Sequence, residues 1–120
     1  MSEEILEIHM HKLREIGESH AKAKQNLERL QHGRKILLAV LMKEKMINSN
    51  TGKMDSAVAQ EREARADERY KKHIEELSVA VGEESKWHWE KKMIEINFET
   101  WKTKMINQIR EAKAYGLQKN

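Results

Sequence analysis

Histidine is the residue type in this chain best able to do chemistry, and its spacing builds neither a catalytic nor a metal site. His9 and His11 stand two apart and therefore point to different faces of any helix. No His-Glu-x-x-His pattern occurs, and His20 falls within an apolar repeat, where an occasional polar residue sets register. The chain has no cysteine, so it offers neither a thiolate nucleophile nor a disulfide framework, which is compatible with a reducing compartment. Catalysis needs a nucleophile, base or metal held beside an orienting group in a pocket. The sequence presents no such constellation, so we expect no enzyme, no cofactor and no metal.

The remaining chemistry is that of binding. Trp87, Trp89 and Trp101 are aromatic enough to stack on single-stranded bases. Trp87 and Trp101, however, share a helical face with Ile94 and Phe98, which favours core packing, whereas Trp89 points elsewhere and is expected at an interface or partly exposed. Net charge is only +3. Its distribution is uneven: between His20 and Lys53 stand Lys22, Lys24, Arg29, Arg34, Lys35, Lys43, Lys45 and Lys53, against the acids Glu28 and Glu44 alone. An anionic partner would meet this third of the chain. A second ridge, Arg62, Arg65, Arg69 and Lys72, has Glu61 four residues before Arg65 and Glu68 four before Lys72, the order that favours intrahelical ion pairs.

The elements that position these residues are helices. With no proline, five glycines and 36 % charged residues, the 120-residue chain reads as all-α, with two to three long amphipathic helices forming a coiled-coil-like hairpin or bundle in one domain. Ser2, followed by Glu3 and Glu4, is expected to cap a first helix over about 3–47. Leu6, Leu13, His20 and Leu27 recur every seven residues, and His9, Ile16, Ala23, Leu30 and Leu37 follow the same period. Gly33 and Arg34 are read as interrupting this seam. After them Ile36 to Met42 is apolar on every face, which reads as a buried helical stretch at the centre of the core or of a subunit interface formed by Leu37, Val40 and Leu41. A loop is expected at about 48–55, with Asp55 or Ser56 capping a second helix over about 56–81. Ala59, Ala66, Tyr70, Ile74, Leu77 and Val81 would trace its apolar stripe. A third helix over about 84–115 would be capped by Ser85 or run continuously through Gly82, stop at Tyr115-Gly116, and leave Gln118-Lys119-Asn120 as a tail.

The acidic start shows no secretory signal, and the longest apolar run is too short to span a bilayer, so a cytoplasmic protein without membrane contact is expected. A heptad-like seam is satisfied equally by an intramolecular hairpin or by a neighbouring chain. The breadth of the 36–42 run argues for a homo-oligomer.

Several stretches resemble a family of small phage proteins encoded with recombination genes and, more distantly, recombination mediators of the UvsY type. They are Arg34-Lys35-Ile36-Leu37-Leu38-Ala39-Val40-Leu41-Met42, Ala59-Gln60-Glu61-Arg62-Glu63-Ala64-Arg65-Ala66 with Tyr70 and His73, and Ile94-Glu95 with Phe98-Glu99-Thr100-Trp101-Lys102-Thr103. The resemblance implies a non-catalytic, ring- or barrel-forming helical protein of the bacterial host cytoplasm. Such a protein binds single-stranded DNA and helps load a RecA-like recombinase while displacing single-strand-binding protein. The basic residues Arg34, Lys35, Lys43, Lys45 and Lys53 would then contact phosphates. This chain departs from the family in lacking a dense Lys-Lys or Lys-x-Arg tract with tyrosines beside the loop. The alternative is a structural or adaptor coiled-coil protein whose seams bind another protein and whose charges only solvate it.

Overall fold

A computed structural model of the chain describes residues 2–116, with only the backbone of Ser2. The Ser2 cap and the Gln118-Lys119-Asn120 tail lie outside the described residues. The fold is all-α: α1 spans Ser2–Glu44, α2 Ala57–Ala66 and α3 Glu68–Ala114. No strand occurs among the described residues, only an isolated antiparallel bridge between Ile47 and Met54. Nor is any described helix long and apolar enough to cross a membrane.

The chain divides into two compact units, one of residues 1–20 with 86–120 and one of residues 21–85, and α1 and α3 contribute a stretch to each. In the 21–85 unit the two helices run antiparallel, Glu44 meeting Arg69 while Leu30 meets His73. The inward positions of α1 there are Ala23, Leu27, Leu30, Arg34, Leu37 and Leu41, alternating four and three apart, and those of α3 are Tyr70, His73, Leu77 and Ala80. The seam is therefore not interrupted at Gly33 and Arg34. It passes through a half-buried Arg34, whose long stem can lie along apolar neighbours. The expected stripe is kept in part, with Tyr70 buried and Ala59 and Leu77 half-buried, but Ala66, Ile74 and Val81 are exposed and Ala64, His73 and Ala80 take inward positions instead.

Asp67 interrupts the helical run. The expected helix over 56–81 breaks there, because Asp67 adopts φ −66°, ψ 137° and ends α2. Its carboxylate then accepts the Arg69 amide at 2.9 Å, capping α3. Downstream, α3 runs unbroken through Gly82 and Ser85, so Ser85 caps nothing, and it ends at Ala114 just before Gly116, which takes φ 71°.

The connection between α1 and α2 is built from side chains that compete with helix. Asn48 Oδ1 accepts the amides of Asn50 and Thr51 at 2.8 and 3.2 Å, and Gly52, at φ 68°, closes the turn. Ser56 caps α2 by accepting the Ala59 amide at 3.2 Å. The small side chain of Ala64 lets α2 sit against α1, and Leu41, Ala64 and Tyr70 form a cluster flanked by Leu37, Leu38 and Met42.

A two-helix layer buries only one face of each helix. The 36–42 run is accordingly split: Leu41 is 0 % exposed, whereas Ile36 and Val40 are 66 % and 49 % exposed. Within a single chain the run is therefore not buried on every face, and Leu41, expected at the core or at a subunit interface, lies in the chain's own core.

In the other unit α1 and α3 again face each other. His9 lies edge-on to Phe98 at 5.4 Å and 6.2 Å from Trp101, and His20 lies 5.8 Å from His88. Trp87 and Trp101 are half-buried with Ile94 and Phe98, while Trp89 is 63 % exposed, as their spacing predicts. His9 Nδ1 is buried there without a hydrogen-bond partner, a polar atom in an apolar seam.

Candidate nucleic-acid interface

The basic residues named from sequence all belong to the 21–85 unit, and the structure places them differently from one another. Arg34 is half-buried on the seam. Lys45 pairs with Asp67, Nζ to Oδ2 at 3.5 Å. Lys35 and Lys43 are exposed on α1, and Lys53 is exposed on the loop. With Arg34 on the seam and Lys45 paired to Asp67, the five do not form one exposed face.

A different set does. Lys22, Arg29, Ile36 and Lys43 recur every seven residues on the exposed side of α1. Successive members stand about 10 Å apart along the axis. Arg29 donates to Asn26 Oδ1 at 2.8 Å, a contact that leaves its charge uncompensated. Among the described residues, Lys22, Lys24, Arg29, Arg34, Lys35, Lys43 and Lys53 make no ion pair. The column is legible as a seven-residue repeat, but counting Ile36 within a buried run conceals it.

Three residues of the second basic ridge are neutralised, whereas Lys72 is exposed and Glu68 stands 3.6 Å from Lys71 in place of the expected Lys72. Arg65 binds Glu61 at 3.0 Å and lies 5.9 Å from the Tyr70 ring centre, and Arg62 stands 3.5 Å from Glu63. The break at Asp67 also divides the ridge between two helices. Arg69 is held on both sides: Nε and Nη2 reach the Asp67 carboxylate at 3.1 Å each, and Nη1 reaches Glu44 Oε1 at 3.3 Å beside a second contact to Oε2. The hydrogen bonds from Arg69 hold the Asp67 and Glu44 carboxyls below their ordinary values, and those carboxylates in turn raise the Arg69 guanidinium further above neutrality. This cluster pins the end of α1 to the start of α3 and leaves no free charge for a ligand.

Among the described residues, no group of three or more His, Asp or Glu is placed to hold a metal ion. The concavities are shallow grooves along helices, such as that lined by Asn26, Arg29, Lys72, Glu76 and Glu83. No family model, curated protein or solved structure matches the chain.

Proposed function

We propose that the protein is a non-catalytic, self-associating recombination accessory protein of phage or prophage, which binds single-stranded DNA through its phosphates and assists loading of a RecA-like recombinase against single-strand-binding protein. The observation that carries the DNA-binding step is the contrast between two basic surfaces. Arg62, Arg65 and Arg69 are bound to acids, whereas Lys22, Arg29 and Lys43 line one exposed helix face with no acid paired to them. Lysines on a helix and a loop supply charge without the bidentate geometry that reads base edges, so binding is indifferent to sequence.

Fluorescence anisotropy of a labelled oligonucleotide across a salt series tests this. Changing Lys22, Lys43 and Lys53 together to Ala should flatten the slope of log affinity against log salt by about 2 per subunit, at roughly 0.7 per phosphate contact. Changing Arg62 and Arg65 to Ala should leave the slope unaltered. Absence of wild-type binding at low salt would refute the DNA reading. The adaptor reading would then take its place, and the exposed apolar side chains of α3, Trp89 among them, favour it.

A further inference from the structure

Beyond the seam, α3 carries a second line, apolar in its first three positions, that is exposed among the described residues. Trp89, Met93, Ile96, Thr100 and Thr103 follow at alternating intervals of four and three residues, the repeat of a helix-packing face. Trp89, Met93 and Ile96 are 63 %, 54 % and 56 % exposed. All five lie on the side of α3 opposite Trp87, Ile94, Phe98 and Trp101, which face α1. Isolated exposed apolar residues are ordinary, but three in consecutive turns along one line make a docking stripe.

The charges flanking this line identify its occupant. Glu90 and Lys104 border one edge, and Lys92 and Glu99 border the other. All four are exposed, and Glu99 has only a local contact, to Lys102 at 3.7 Å. In an antiparallel helix pair each edge lies beside the same edge of its partner, whereas in a parallel pair it lies beside the opposite one. Packed antiparallel on itself with Met93 against the partner's Ile96, the line places Trp89 against the partner's Thr100. That register sets Lys92 beside the partner's Glu99, two residues from level, while on the other edge Glu90 lies nearest the partner's Asn97. Two-fold symmetry doubles the Lys92–Glu99 pair.

We infer that this face of α3, centred on Met93 and Ile96, is the self-association surface, and that it takes a second copy of the chain in antiparallel orientation. The inference rests on the reading that the protein works as an oligomer, and it moves the interface from Leu37, Val40 and Leu41 to α3. It also leaves the basic column of α1 outside the contact.

Light scattering and sedimentation across a concentration series, with circular dichroism as a fold control, test it. Wild type should show at least twice the 14.2 kDa chain mass. Met93→Glu should weaken association roughly a hundredfold with helicity and thermal midpoint retained, because it buries an unpaired charge only in the assembly. Lys92→Glu and Glu99→Lys should each weaken self-association roughly tenfold by opposing like charges. Mixed together, these two single variants should form a heterodimer of wild-type affinity. The carboxylate introduced at position 92 of one chain meets the ammonium introduced at position 99 of the other only in the antiparallel register. A wild-type oligomer insensitive to Met93→Glu and to both charge changes, or a mixture that fails to recover affinity, would overturn the inference while leaving self-association standing. A strictly monomeric wild type at about 100 μM, where a one-helix contact in the micromolar range would be saturated, would remove both.

Discussion

Gly33 offers the sharpest test of the packing, because intrinsic helix preference and tertiary contact oppose each other there. Replacing a helix-interior glycine by alanine stabilises by about 1 kcal/mol where the space is open. At Gly17 and Gly82 a Cβ would meet nothing within 4 Å, so each substitution should gain that amount. At Gly33 the new Cβ would stand 3.1 Å from His73 Cε1 and 3.6 Å from Nε2. That same Nε2 donates to the Leu30 carbonyl at 2.7 Å, joining α3 to α1, so the ring cannot withdraw without stretching the bond. Losing such a bond costs about 0.5–1.5 kcal/mol, enough to cancel the helix gain. We therefore expect Gly33→Ala to be neutral or destabilising by up to about 1 kcal/mol, while Gly17→Ala and Gly82→Ala each raise the urea midpoint by roughly 0.5 M. In a His73→Ala background, Gly33→Ala should recover the full gain, giving a coupling of about 1 kcal/mol. Equal stabilisation at all three glycines, or zero coupling, would refute the account of the Gly33–His73 contact.

Two other results should follow from the same packing. Leu41→Ala should cost about 2–5 kcal/mol in urea unfolding, whereas Val40→Ala next to it should stay within about 0.5 kcal/mol, because only Leu41 lies in the intrachain core. Asp67 and Glu44 have folded values below their ordinary 3.8 and 4.5. Their contribution to stability is thus complete above those ordinary values and lost as pH falls through the depressed ones. The thermal midpoint should hold between about pH 7 and 5 and drop below about pH 4. Arg69→Gln should shrink that drop, and salt should weaken the part carried by Glu44, because it and Arg69 are exposed.

Much of this protein is written in local sequence. Helix type, the turn at Asn48 to Lys53, the Ser56 cap, the Gly116 stop and the division of Trp87 and Trp101 from Trp89 all follow from residue preference and a seven-residue period. These are properties of one chain segment at a time. The Asp67 break is also legible, as an acid followed by Glu68 at the start of a helical run, but the alanine-rich stretch before it suggests continuity. Two features were beyond the sequence. A stretch apolar on every face, Ile36 to Met42, carries no periodic signal, so only the packing of Ala64 and Tyr70 against Leu41 decides which side is core and leaves Ile36 and Val40 outside. Likewise, Lys43 and Lys45 are equivalent as sequence, and only the folding back of α3 puts Asp67 beside one of them and leaves the other unpaired. Periodicity fixes which residues of a helix can share a face. Contacts between residues distant in the chain decide which face is covered and which charges remain free.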